Sequence, residues 1–208
     1  MVVEMKKNPT DVKVFVAAVE DYSDWDVLPS FAAEELNTIK NPRVAAEKRA
    51  GYGLLNYAAK GLLDDFDVTK CYPGETGKPL HQELWFSVSH SGGAVAVAAA
   101  KVPVGLDIET VDSLERVKRL EKRILCPDEH YDNPLVLWTM KEAVFKLEGK
   151  DRIFRPADID TNGYGGICLD FEYIGKKFVL SVVTKERSDT EACCISKGKE
   201  ICIKKLDI

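Results

Sequence analysis

Val12, Val14 and Val16 alternate with Lys13 and Phe15. That period of two predicts a half-buried strand running to about Val19. Beyond Pro29, residues 31–36 read as a short helix. Asn41-Pro42 then opens a longer one, because Asn caps a helix well and Pro suits its first turn. This helix reaches about Lys60, is rich in Ala and Leu, and carries Arg43, Lys48 and Arg49 near its start. Gly51 and Gly53 inside it either weaken it or mark close packing. Residues 74–80 form a turn-rich loop. Residues 84–88 and 94–102 read as strands separated by Ser89-His90-Ser91-Gly92-Gly93, and residues 104–108 as a third short strand. A solvated helix is expected over 113–124. Asn133-Pro134 opens a strongly periodic helix from Leu135 to about Leu147 that ends at Gly149. The runs 166–173, 176–183, 191–196 and 200–205 alternate like an antiparallel meander.

Strand, helices, strands, then helices and strands again is an α+β pattern, open to a reading as two halves meeting near Pro103. No convincing repeat relates them. Length allows this, since 208 residues at roughly 150 per domain is one large domain or two small ones. A chain of this size buries about 70% of its unfolded surface and holds a core without disulfides or metal.

Composition narrows the class. With 30% charged residues, disorder and a membrane protein both describe the chain poorly. No apolar run approaches the roughly 20 residues of a membrane-spanning helix. A net charge of −5 excludes a globally basic nucleic-acid binder, though not a local basic pocket. Lys6, Lys7 and Pro9 stand where a signal peptide would need an apolar core. Cys71, Cys126, Cys168, Cys193, Cys194 and Cys202 contain no C-x-x-C pair, so free, mostly buried thiols are expected. The expectation is a soluble, reduced, cytoplasmic protein.

Four groups carry chemistry. In Gly105-Leu106-Asp107-Ile108-Glu109, strand geometry points Asp107 and Glu109 to one face. They are either two solvated acids or a hard-oxygen site for Mg²⁺. Trp138, Glu142 and Lys146 are spaced i, i+4, i+8 and share one helix face. Glu142 and Lys146 could be an ordinary exposed pair, but solvated faces seldom carry Trp. In Phe86-Ser87-Val88-Ser89-His90-Ser91-Gly92-Gly93, hydroxyls, an imidazole and glycines cluster where phosphate oxygens could be held, or they form a polar turn. The G-x-S-x-G pattern of acyl transfer is absent. Gly77-Lys78-Pro79 lacks the P-loop pattern, yet Lys78 on a rigid loop could meet a phosphate.

Taken together and in order, G-K-P, F-S-V-S-H-S-G-G, V-G-L-D-I-E and W-T-M-K-E-A-V-F-K resemble the signature blocks of the 4'-phosphopantetheinyl transferases. Within that family they resemble the long, single-chain type that activates peptide and polyketide synthetases. The matching region runs from Gly77 to about Gly149, with weaker support over 43–49. The resemblance implies two similar α+β halves, 1–102 and 103–208, with the active site in the cleft between them. It implies that the phosphopantetheine arm of coenzyme A passes to a serine of an acyl, peptidyl or aryl carrier protein, leaving 3',5'-ADP. It places Mg²⁺ (or Mn²⁺) on Asp107, Glu109 and Glu142, with Glu142 as base and Lys146 as its cationic partner. It assigns Lys78, Ser89 and His90 to the coenzyme phosphates and Arg43 and Arg49 to the 3'-phosphate, with Lys48 able to serve instead. It also implies a monomer.

Carrier partners of this family are acidic, so a chain of −5 needs a local docking patch. Arg116, Lys118, Arg119, Lys122 and Arg123 supply one, unless that helix is simply solvated. Leu114, Val117 and Leu120 belong to docking or, more naturally, to the core. Two rivals use the same residues: a Mg²⁺-dependent hydrolase of the coenzyme A diphosphate, with water replacing serine, and a silent carrier-binding module.

Overall fold

In the computed structural model, the described residues are 12–75, 77–124, 133–149, 153–185, 190–196 and 199–202. Residues 1–11 and Cys126 lie outside them, as do the side chains of 120–124 and of Cys193, Cys194 and Cys202. No described helix is long and apolar enough to cross a membrane.

The elements run in the order β1 (Val12–Ala18), α1 (Ser30–Leu36), α2 (Pro42–Lys60), β2 (Tyr72–Pro73), β3 (Pro79–Leu80), β4 (Trp85–Ser91), β5 (Ala94–Ala100) and β6 (Val104–Thr110). They continue with α3 (Leu114–Ile124), α4 (Pro134–Glu148), β7 (Gly165–Tyr173), β8 (Lys176–Thr184), β9 (Thr190–Ser196) and β10 (Lys199–Cys202). This is the expected mixture of helices and strands. Asn41 and Asn133 accept from the backbone N–H groups of Arg43 and Leu135, so both Asn-Pro pairs start helices as their chemistry predicts.

One sheet has the order β10-β9-β1-β5-β4 and a second the order β6-β8-β7. The layers follow from period-two burial. Val95, Val97 and Ala99 of β5 face α2, while Ala94, Ala96, Ala98 and Ala100 face Leu106, Ile108, Leu180 and Val182 of the second sheet. A strand covered on both faces must be continuously apolar, which accounts for the Ala94–Ala100 run. Helix α4 covers the far face of the second sheet through Ala143, Val144 and Leu147. The stack is helix, sheet, sheet, helix.

Three sequence expectations change. The strand expected to stop at Val88 continues to Ser91, and the connection is only Gly92-Gly93. Both glycines have positive φ (59° and 94°), the two-residue hairpin geometry that matches strand twist. The loop over 74–80 contains the short β2–β3 hairpin. The C-terminal meander is divided. Strand β8 already has β6 on one edge and β7 on the other, so β9 pairs in parallel with β1 instead. Gly53 marks close packing: a Cβ there would lie 2.6 Å from the Tyr22 ring.

Candidate functional site

The two sheets meet where β4 lies beside β6, and the serines of β4 make the join. Ser87, Ser89 and Ser91 point to one face, as alternate residues of a strand must. Ser87 Oγ accepts from the Leu106 N–H (3.0 Å), Ser89 Oγ donates to Asp107 Oδ1 (2.7 Å), and Ser91 Oγ donates to Glu109 Oε2 (2.9 Å). The join is therefore a ladder of hydroxyls, and two of its three rungs end on the expected acids.

Helix α4 brings Lys146 onto the same rung. Its Nζ donates to Asp107 Oδ1 at 2.7 Å and to Ser89 Oγ at 2.9 Å, and it stands 3.9 Å from Glu142. Helix and strand come this close because residue 105 is glycine. A Cβ there would sit 1.9 Å from the Ala143 carbonyl oxygen. Gly149, at φ 58°, ends the helix in the left-handed cap favoured by glycine.

Electrostatically the site is held under tension. Burial raises the pKa of Asp107, opposed by Lys146 and Ser89, while Glu109 raises it further. Glu142 is pushed up to about 7 by burial first, then by Asp107, with Lys146 pulling it down. A carboxylate near 7 can both hold and release a proton at neutral pH. Lys78 reaches across from the β2–β3 turn and donates to the Lys146 carbonyl oxygen at 2.8 Å, capping an orphan acceptor of the last turn. Burial, then Lys146, lowers its ammonium to about 8.

Glu109 is held by three groups. Its Oε2 accepts from Ser91 and from Ser113 (2.8 Å), and its Oε1 from Arg116 at 2.6 Å. The Arg116 guanidinium also lies 5.8 Å from the Trp138 ring centroid.

His90, next to Ser89 in sequence, faces the other way. It lines a cleft of about 300 Å³ between α1, α2 and the Gly77–Pro79 turn, and its Nδ1 is 3.5 Å from Glu47. Lys48 lines the same cleft, paired with Glu35. Arg43 is exposed and donates to Glu47 at 2.9 Å. Arg49 donates instead to the Trp25 carbonyl at 3.0 Å and is not among the cleft-lining residues. The structure thus gathers Lys78, Ser89, Asp107, Glu142 and Lys146 in one place, with Glu109 beside them, and His90 with Lys48 in another.

The residues present fit a hard divalent cation. Asp107 Oδ2 is buried with no hydrogen-bond partner among the described residues, and Glu142 carries the repulsion of Asp107 and Glu109. As the side chains stand, no three described His, Cys, Asp or Glu residues form a ready metal cage. Lys146 holds Asp107 Oδ1 and Arg116 holds Glu109 Oε1.

Residues 103–194 match the model of the 4'-phosphopantetheinyl transferase superfamily. The match begins one residue before β6 and takes in both acids of that strand and the whole of α4. Curated proteins also match, among them two named 4'-phosphopantetheinyl transferases. The chain is 40% identical over 100 residues to the 4'-phosphopantetheinyl transferase Sfp of Bacillus subtilis, covering 42% of this chain and 44% of that protein. It is 35% identical over 88 residues to the 4'-phosphopantetheinyl transferase psf-1 of Bacillus pumilus, covering 36% and 37%. It is 34% identical over 112 residues to enterobactin synthase component D of Escherichia coli K12, covering 50% and 52%. The chain thus spans about half or less of the length of these curated relatives. The resemblance read from the four sequence blocks is to the superfamily these comparisons identify.

Several site residues escaped the sequence reading. Ser91 figured there only within the 86–93 cluster, Ser113 had no role, and Arg116 had only a docking one. The signal for Ser91 was the unbroken serine alternation through 87, 89 and 91. Glu47, buried yet shared by Arg43 and His90, was signalled only by its i, i+4 spacing from Arg43. Val117 is wholly buried and Leu114 partly, which assigns both to the core. Lys118 is paired with Glu115 at 2.9 Å. The side chains of Leu120, Lys122 and Arg123 lie outside the described residues.

Proposed function

We propose that this chain transfers the 4'-phosphopantetheine arm of coenzyme A to a serine of an apo-carrier protein and releases 3',5'-ADP. The observation that carries the proposal is the meeting of Asp107, Glu142 and Lys146, all inside the segment that matches the transferase superfamily, with Ser89 from β4 ahead of it. The names of the relatives support it.

The geometry supports the following chemistry. The serine hydroxyl attacks the phosphorus that bears the pantetheine arm, and the diphosphate P–O bond on the nucleotide side breaks. Such a transfer needs positioning and charge neutralisation more than covalent help. Glu142, near 7, takes the serine proton. Lys146, one turn later on the same helix face, turns from Asp107 to the transferred phosphoryl oxygens. Asp107, Glu109 and Glu142 would hold Mg²⁺ (or Mn²⁺), which when bound neutralises the diphosphate and the departing 3',5'-ADP. Lys78 and Ser89 hold the diphosphate. His90, with Lys48 across the same cleft, holds the 3'-phosphate end; Arg43, paired with the cleft residue Glu47, and Arg49 on the same helix are the further basic groups proposed for it.

Two similar halves, 1–102 and 103–208, form part of the proposal. In its support, α2 lies on the sheet containing β4 and β5, and α4 lies on the sheet containing β6 and β8, while β9 and β10 cross back from the second half to the first sheet. The site sits where those sheets join. A single soluble chain in the cytoplasm is proposed as the acting form.

Release of 3',5'-ADP, followed by chromatography with and without apo-carrier protein, tests the proposal. Release that requires the carrier supports transfer. Equal release without it would assign the site to hydrolysis of the coenzyme A diphosphate. No release under either condition would leave a binding module.

A further inference from the structure

We propose that Arg116 is a positioning residue that stands in for a divalent cation on Glu109, so that Arg116 and a metal ion compete for one carboxylate oxygen. The inference rests on the reading of Asp107 and Glu109 as metal-holding acids.

The two oxygens of Glu109 are held unequally. Oε2 is fixed by two hydroxyls on backbone-anchored residues, Ser91 at 2.9 Å and Ser113 at 2.8 Å. Among the described residues, Oε1 has only Arg116, at 2.6 Å. Oε2 thus keeps the carboxylate aimed while the partner of Oε1 is free to change. The exposures point the same way, with the Glu109 side chain 15% exposed and Arg116 56%. A half-exposed guanidinium can leave at modest cost, whereas the acid cannot follow it into water.

Arg116 also has somewhere to remain. Its guanidinium lies over the Trp138 ring, and cations over Trp are held by the ring quadrupole even without a carboxylate. Trp138 is fixed in turn by an edge-on contact with Phe154, ring centroids 5.5 Å apart. Arg116 therefore has two supports, one ionic and one aromatic, and losing the first leaves it beside the site. Its field already reaches Glu142, which it favours in the charged form. Arg116 thus neutralises acids that would otherwise repel one another, and is given up when a stronger cation arrives.

Titration of the full chain with Mn²⁺ alone, followed by electron paramagnetic resonance of the free ion, tests this. Arg116→Gln removes the competitor, and Arg116→Met does so while keeping an apolar stem over Trp138. Both should bind Mn²⁺ about fivefold more tightly than wild type, the scale of losing one partly exposed ion pair. Arg116→Lys, which keeps the cation, should stay within about twofold of wild type. Unchanged or weaker Mn²⁺ binding in both neutral variants, with circular dichroism showing them folded, overturns the inference. Asp107→Asn separates the two failures. If wild type binds Mn²⁺ and Asp107→Asn does not, the carboxylate reading stands whatever Arg116 does. If wild type and the neutral variants all fail to bind, that reading falls and this inference with it.

Discussion

Ser89 donates to Asp107 Oδ1 at 2.7 Å although the two residues belong to strands of different sheets. The bond does two things at once: it ties β4 to β6 and it gives a buried carboxylate one of its few compensating donors. Asp107 is 3% exposed, so removing that donor leaves its charge leaning on Lys146 and raises the cost of burying it. Ser89→Ala should lower stability at pH 7 by about 2 kcal/mol, the range of a charge-assisted bond. Urea unfolding of the variant against wild type reads this. A loss no larger than that of an exposed Ser→Ala change would contradict the role given to the serine ladder.

Gly105 sets the distance between α4 and β6, and with it the reach of Lys146 to Asp107. A methyl there meets the Ala143 carbonyl oxygen at 1.9 Å and Leu147 Cβ at 2.8 Å, both in the helix body. Gly105→Ala should cost about 3 kcal/mol through overpacking. Whatever folds should transfer poorly, since Glu142 and Lys146 move with the helix. Thermal unfolding, with activity measured on the folded fraction, checks both parts.

Lys78 gives a pH signature. Its ammonium titrates at about 8 in the folded chain, against an ordinary value of 10.5. Below pH 8 both states hold the proton, and the buried charge is a standing cost. Between about pH 8 and 10.5 the unfolded chain binds more protons than the folded one, so this group makes stability rise with pH there. Lys78→Met lacks that rise. Urea midpoints at pH 7.5 and 9.5 should show wild type gaining on the variant as pH increases. A difference that stays constant would show that Lys78 is not desolvated.

Much of the fold and of the site was legible in the sequence because local rules dominate there. Both Asn-Pro helix starts, the Gly149 stop and the shared helix face of Glu142 and Lys146 follow from capping and helical spacing. Asp107 and Glu109 follow from strand alternation. What escaped depends on tertiary partners. Ser89 and His90 are adjacent in sequence, yet they face different clusters once β4 extends to Ser91. Arg49 stood ahead of Lys48 for the 3'-phosphate; in the fold Arg49 donates to the Trp25 carbonyl while Lys48 lines the cleft with His90. The strand pairing of β9 with β1 depends on which edges remain open, which no local pattern encodes. Lys141 sits beside Glu142 in the same block, yet it is wholly buried and donates to the carbonyls of Pro156 (3.0 Å) and Ile159 (2.8 Å). It pins the segment after α4, a role that a polar residue in a helical pattern does not announce.

The central claim is that Asp107, Glu142 and Lys146 carry phosphopantetheine transfer to a carrier serine. Intact-mass analysis of an apo-carrier protein incubated with coenzyme A, Mg²⁺ and either wild type or Asp107→Asn tests it most directly. Wild type should add one phosphopantetheine per carrier, and Asp107→Asn should leave the carrier unmodified while remaining folded. A carrier unchanged by wild type, or modified equally by both proteins, would contradict the account.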